Sequence, residues 1–145
     1  RILADTHGGL FITVFYGVLD PASETLTYCN AGHNPPYLFH SGGEGSPQAL
    51  TRTGMPLGII EQTSWGQAGI TFENGDLLVA YTDGVTEAQN ESEEFYEDER
   101  LLAAARSNIG HPAEMMQTRF IKDIQDFVGA ALQFDDMTLM IVKRQ

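Results

Sequence analysis

A hairpin pattern near the start of the chain excludes an all-helical fold. Residues 11–19 are rich in β-branched and aromatic side chains, and residues 25–30 alternate between polar and apolar side chains. Both patterns are typical of β-strands. Residues 20–23, which join the two segments, contain aspartate, proline and serine, as turns often do. The three segments together therefore predict an antiparallel hairpin.

More strands are predicted beyond the hairpin. Two consecutive prolines in residues 31–36 remove backbone donors, which predicts a loop. Residues 77–81 are almost continuously apolar, as in a strand that is covered on both faces. The other predicted elements of this part are strands at residues 37–40 and 67–73, a flexible glycine-rich tip at residues 41–47 and an Asn-Gly turn at residues 74–75.

Two helices and a last strand are predicted in the C-terminal third. Residues 98–108 place apolar side chains on one helical face, and Gly110 marks the end of this helix. Pro112 suits the first turn of the second helix. Apolar residues recur in that helix at spacings of three and four, which predicts a face buried in the core; they are Met116, Phe120, Ile124, Phe127 and Val128. Residues 137–142 are apolar enough for a central strand, and the acidic residues 91–94 predict a solvated loop.

Composition excludes several classes of function. The 145 residues fit one domain, and the net charge of -12 disfavours nucleic acids and anionic membranes as partners. Cys29 is the only cysteine, which excludes an internal disulfide. No apolar run approaches the roughly 18 residues that a membrane span needs. We therefore expect a cytoplasmic protein that binds neither nucleic acid nor membrane.

Carboxylates lie at the ends of two predicted strands. Asp83 follows the strand at residues 77–81, while Asp135 and Asp136 precede the strand at residues 137–142. If these strands are antiparallel neighbours, the carboxylates converge at one edge of the sheet. Carboxylates without cysteine or clustered histidine favour Mg²⁺, Mn²⁺ or Ca²⁺. On spacing alone, however, ordinary turn residues are the commoner explanation of such aspartates.

Five segments, in matching order, resemble the bacterial type 2C metal-dependent serine/threonine phosphatases. The most specific is residues 75–90, GDLLVAYTDGVTEAQN. The other four are residues 9–20, 31–36 (AGHNPP), 54–58 (GMPLG) and 135–138 (DDMT). The resemblance covers essentially the whole chain. Within this family, the chain resembles the subgroup that includes the sporulation stage II protein E and the regulators of the general stress sigma factor.

The resemblance implies a fold and a metal site. The fold is α+β, an antiparallel β-sandwich flanked by helices, with two Mn²⁺ or Mg²⁺ ions between the sheets. Asp83 matches a metal-coordinating aspartate, and Asp135 matches the ligand of the terminal motif. Asp136 is the second choice, because many relatives have asparagine there. No catalytic residue is expected beyond the metal ligands; His33 should be a hydrogen-bonded loop histidine, and surface positions are expected for His7, His40 and His111.

The chain also departs from the family pattern. Relatives carry helices and an aspartate-bearing strand and turn before the hairpin, and that aspartate bridges both metals. We therefore expect residues 1–145 to be a single phosphatase domain that is truncated at its N-terminus and is weakly active or inactive alone. Tyr96 stands where relatives often have glycine, which leaves the local turn open.

The implied reaction is hydrolysis of phosphoserine or phosphothreonine on a regulatory protein in bacterial signalling, such as an anti-sigma-factor antagonist. Water activated by the metals would attack phosphorus in line. Relatives often have an upstream receiver or sensor domain, and uncovered sheet edges favour a homodimer. Two alternatives stay open: a catalytically degenerate module that binds a regulatory partner, and an unrelated acidic β-domain that binds Ca²⁺ structurally.

Overall fold

The computed structural model describes residues 10–41, 45–60 and 63–144. Seven strands and three helices lie in this part of the chain. In chain order they are β1 (Val14–Asp20), β2 (Thr25–Ala31), β3 (Tyr37–Phe39), β4 (Gln48–Ala49), β5 (Ala68–Thr71), β6 (Leu77–Tyr81), α1 (Asp83–Thr86), α2 (Glu97–Asn108), α3 (Ala113–Val128) and β7 (Leu139–Lys143). Among these helices, none combines the length and the apolar character that a membrane span requires.

The chain divides into two compact units. One contains the described residues up to Pro35 together with those of Ala49–Glu73, and the other contains those of Pro36–Gln48 and from Asn74 onward. The first unit holds the sheet β1-β2-β5, and the second holds the three helices and the sheet β4-β3-β6-β7, whose short edge strand β4 straddles the boundary. A single domain over residues 1–145 stays a prediction.

The predicted hairpin is confirmed. Strands β1 and β2 pair antiparallel from Val14 opposite Ala31 to Asp20 opposite Thr25. The Asp20 carboxylate closes the turn by accepting hydrogen bonds from the Ser23 hydroxyl, at 2.7 Å, and from the following backbone. The hydrogen bond from the Ser23 hydroxyl lowers the pKa of the Asp20 carboxyl most, and the hydrogen bond from the Ala22 amide lowers it further. The turn chemistry seen in the sequence therefore fixes the hairpin register.

The second unit has a core between one face of β6 and the helices. Leu77, Val79 and Tyr81 of β6 are buried in this core, and Leu78 of the same strand is buried as well, as expected of a strand covered on both faces. The predicted stripe of α3 is confirmed, with Met116, Phe120 and Ile124 buried and Phe127 and Val128 packed against them. Leu101 and Ala105 are the corresponding buried residues of α2.

Strand β7 differs from the prediction in its position. Within the described residues it pairs only with β6 and forms an edge of the sheet, so the expectation of a central strand is wrong. Leu139 and Ile141 pack against the helical core, whereas Met140 is 50% exposed. An apolar run alone does not separate a central strand from an edge strand. Met137 and Thr138 precede β7 rather than belonging to it.

The predicted tip at residues 41–47 is only partly covered by the described residues. Residues 42–44 lie outside the described residues, and β4 follows at Gln48–Ala49. This strand was not predicted, because two residues are too few to show an alternating pattern.

The turn before α2 forms without glycine. Tyr96 has an ordinary φ of -64° and is buried, with its hydroxyl donating to the Asp123 carboxylate and its ring packed edge-on against Phe127. Burial, with this hydrogen bond, raises the pKa of Tyr96. The strained residue is its neighbour Glu97, whose φ is 61°. Glu93 also has a positive φ, of 63°, so positions 93 and 97, rather than 96, have the backbone conformation that favours glycine.

Glu97→Gly should stabilise the fold by about 0.5–1 kcal/mol. A left-handed conformation costs a residue with a side chain roughly 1–2 kcal/mol, and glycine avoids this cost. The greater freedom of glycine in the unfolded chain offsets about 0.4–1 kcal/mol of the stability gained. Urea unfolding measures the difference. Glu99→Gly, in the same first turn but without a positive φ, is the control and should destabilise by about 1 kcal/mol. Equal destabilisation by both variants would contradict the strain at Glu97.

Candidate metal centre

The pairing of β6 with β7 brings the predicted metal-binding segments together. Tyr81, the last residue of β6, lies opposite Leu139, the first residue of β7. The pairing extends one step further, because the Thr82 amide donates to the Thr138 carbonyl at 3.1 Å. Asp83 follows immediately, as the first residue of α1. The end of one strand thus lies beside the start of the other, as predicted from the sequence.

Two further contacts hold the segment that contains Asp135 and Asp136 against α1. The Thr82 hydroxyl donates to the Asp136 carbonyl at 3.2 Å and accepts from the Thr138 amide at 2.9 Å. A Cβ atom at Gly84 would lie 2.5 Å from the same Asp136 carbonyl oxygen. Only a glycine therefore allows the backbone of this segment to approach α1 so closely.

The three candidate carboxylates, those of Asp83, Asp135 and Asp136, are exposed. Asp83 accepts from the Gly84 amide at 3.1 Å, and Asp135 accepts from the Asp136 amide at 2.7 Å. Within the described residues, none of the three forms an ion pair with lysine, arginine or histidine. Unpaired carboxylates at neighbouring strand ends fit a hard divalent cation in charge and donor chemistry.

The described residues do not complete such a site. Residues 10–41, 45–60 and 63–144 contain no group of three or more His, Cys, Asp or Glu side chains placed to hold one metal ion. The strand ends bring the segments of Asp83 and of Asp135 and Asp136 together, but a full set of side-chain ligands is not assembled there. The roles of these three aspartates as ligands therefore stay predictions.

Neighbouring side chains that sequence reasoning missed support the strand ends. The Tyr81 hydroxyl donates to Asp98 at 2.7 Å and links β6 to α2, and the Tyr81 ring stacks on Tyr37. Burial, followed by the hydrogen bond to Asp98, raises the pKa of Tyr81 well above its ordinary value. Tyr81 and Thr82 directly precede Asp83 in the sequence. This position next to a candidate ligand was the only feature of the sequence that could have indicated their supporting role.

The loop predicted at residues 31–36 begins one residue later, because Ala31 is the last residue of β2. Its His33 lies in the first unit and is hydrogen-bonded, as predicted. The His33 Nδ1 atom lies 3.2 Å from the Thr13 hydroxyl, and the His33 amide donates to the Asn30 side chain at 2.9 Å. His40 is exposed, as expected, although its ring meets the buried carboxylate of Asp76. The other two predicted surface histidines are His111, which is half-buried, and His7, which lies outside the described residues.

The architecture is that of the type 2C phosphatases, abbreviated PP2C. The SiaA-PP2C domain of Pseudomonas aeruginosa superposes with a TM-score of 0.79 at 19% identity, over 92% of this chain and 52% of that one. The phosphatase domain of SpoIIE from Bacillus subtilis, presoaked with Mn, has a TM-score of 0.65 at 18% identity, over 99% of this chain and 62% of that one. The predicted α+β fold with antiparallel sheets and flanking helices is therefore confirmed.

The family follows from the sequence comparison. The model of the Stage II sporulation protein E (SpoIIE) family matches residues 1–145, so the chain belongs to that family. Protein IcfG of Synechocystis sp. is 31% identical over 144 residues, and the phosphoserine phosphatase RsbU of Bacillus subtilis is 30% identical over 144 residues. The two matches include 98% and 97% of this chain, respectively, but only 22% of IcfG and 41% of RsbU. It thus spans less than half the length of these relatives.

Proposed function

We propose that the full-length protein is a metal-dependent serine/threonine phosphatase and that residues 1–145 form part of its catalytic domain. The observation that carries this proposal is the meeting of the Asp83 segment with that of Asp135 and Asp136, at one sheet edge of a PP2C fold. The similarity to the phosphoserine phosphatase RsbU supports the same chemistry.

Asp83 and Asp135 are the proposed ligands, with Asp136 as the second choice. Asp83 directly follows β6 and Asp135 lies in the segment before β7, so the β6–β7 pairing brings the two segments to the same end of the sheet. Their exposed carboxylates supply anionic oxygens, which suit Mn²⁺ or Mg²⁺. When bound, such ions polarise a phosphoryl oxygen and make a coordinated water more acidic. We infer that a further ligand comes from outside the described residues, because the described carboxylates do not form a three-ligand group.

The substrate that we propose is a phosphorylated regulatory protein of bacterial signalling, such as an anti-sigma-factor antagonist. The net charge of -12 supports a protein partner rather than nucleic acid or an anionic membrane. A cytoplasmic location and an upstream receiver or sensor domain belong to the same proposal.

A homodimer through the edge of the first sheet is part of this proposal too. Within the described residues, β1 is an edge strand. Two of its side chains, Tyr16 and Val18, are 65% and 52% exposed. An exposed apolar edge favours pairing with another strand.

Phosphate release from a phosphoserine-containing protein tests the proposed activity. The full-length protein should release phosphate in Mn²⁺ and stop when EDTA is added. Residues 1–145 alone should be at least about 100-fold slower, because loss of a single outer-shell partner already costs about 10–100-fold and a missing ligand should cost more.

Each contrary outcome points to a different conclusion. Robust Mn²⁺-dependent turnover by residues 1–145 alone would show that no further ligand is needed. A folded full-length protein that binds its partner in both phosphorylation states, without releasing phosphate, would instead be a degenerate binding module. Tight Ca²⁺ binding without phosphatase activity would indicate a structural calcium site.

A further inference from the structure

Thr82 occupies the junction between β6 and α1, directly before Asp83. It makes three hydrogen bonds to residues 136–138: its amide donates to the Thr138 carbonyl, its hydroxyl donates to the Asp136 carbonyl, and its hydroxyl accepts from the Thr138 amide. A hydroxyl can donate and accept at the same time. Valine, which has nearly the same shape, can make only the bond from its amide.

The segment at residues 135–138 makes few other hydrogen bonds in the described part of the chain. It contains no helix or strand, and its side chains are exposed. Its other hydrogen bonds in the described part of the chain are local, from Gln133 to the Asp135 carbonyl and from the Asp136 amide to the Asp135 carboxylate. Among the described residues, the hydrogen bonds between this segment and the β6 side all end at Thr82. Thr82 therefore supplies the hydrogen bonds that connect the two proposed ligand segments in the described part of the chain.

We propose that Thr82 is a positioning residue that sets the Asp135–Asp136 segment at the distance from Asp83 that metal binding requires. The proposal rests on the proposed phosphatase function. Mg²⁺ and similar ions demand a defined ligand geometry, and residues that orient ligands change metal affinity about 10–100-fold when they are replaced. Because the segment is exposed, water can satisfy the two backbone groups that lose the hydroxyl. The effect should therefore fall on metal binding far more than on folding.

The test compares Thr82→Val with Thr82→Ser in the full-length protein. Titration with Mn²⁺, followed by the electron paramagnetic resonance signal of the free ion, gives the dissociation constant without any turnover. Thr82→Val should weaken Mn²⁺ binding about 10–100-fold and speed hydrogen exchange of the Thr138 amide. Thr82→Ser, which keeps the hydroxyl, should stay close to wild type in both measurements. Thr118→Val removes a hydroxyl that bonds within α3 and should change neither.

The outcomes separate this proposal from the function on which it rests. If Asp83→Asn weakens Mn²⁺ binding and Thr82→Val does not, the positioning role is wrong and the metal site stands. If neither variant changes Mn²⁺ binding, the proposed metal site itself fails. A loss of folding stability in Thr82→Val with unchanged Mn²⁺ affinity would show a purely structural residue. If Thr82→Val does not fold, Thr82→Ala removes the same hydroxyl and carries the same test.

Discussion

In the full-length protein, Asp83→Asn should lower the rate of phosphate release at least about 100-fold, more than the roughly 10–100-fold loss for an outer-shell residue. Asparagine has the same shape, and its side-chain oxygen can still accept from the Gly84 amide as the carboxylate does at 3.1 Å. The variant therefore removes the negative charge and leaves the local turn intact. Hard divalent ions bind anionic oxygens in preference to neutral ones, so the loss should appear in Mn²⁺ affinity as well as in turnover.

Asp126→Asn is the matched control for Asp83→Asn. Asp126 lies on α3, is exposed and pairs with Lys122, so its replacement removes the same charge away from the strand ends. It should leave phosphate release unchanged. In the same assay, Asp135→Asn should resemble Asp83→Asn, and a larger effect of Asp136→Asn would make the second choice the ligand. Equal activity of Asp83→Asn and Asp126→Asn, at saturating Mn²⁺, would remove Asp83 from the site.

The sequence predicted those parts of the fold that depend on local patterns. The hairpin follows from strand alternation and from the turn chemistry of Asp20, and the buried face of α3 follows from helical spacing. The meeting of the segments around Asp83 and Asp135 was predictable because both flank strongly apolar runs, and antiparallel neighbours bring the end of one strand to the start of the other. These inferences needed only the periodicity of strands and helices.

The features that the sequence did not reveal depend on contacts between distant residues. Thr82 bonds a segment 54 residues away in the chain, and nothing in its immediate neighbours indicates this. The edge position that β7 has among the described strands depends on which strands pair with it, and an apolar run does not encode this pairing. The backbone conformation of Glu97 was hidden as well, because a non-glycine residue with positive φ persists only where its surroundings impose it.

Asn30 is a third residue whose role only the structure shows, and its replacement should have a large effect on stability. Its side chain is completely buried and joins two loops, with Nδ2 donating to the Leu50 carbonyl at 3.0 Å and Oδ1 accepting from the His33 amide at 2.9 Å. Its backbone carbonyl accepts from the amides of Thr53 and Gly54. One asparagine thus connects the loop that contains His33 with the segment around residue 53.

Asn30→Ala should destabilise the protein by about 2–4 kcal/mol, because a buried polar group left without a partner costs about 1–3 kcal/mol. The variant removes the partner of the buried Leu50 carbonyl and that of the half-buried His33 amide. Urea unfolding measures this loss. Asn34→Ala is the control, because Asn34 is half-buried in the same loop. Among the described residues, its side chain forms no hydrogen bond like those of Asn30 or His33. The variant should therefore change the free energy of unfolding by less than about 0.5 kcal/mol. Equal losses in the two variants would mean that loop packing, rather than the two hydrogen bonds of Asn30, stabilises this region.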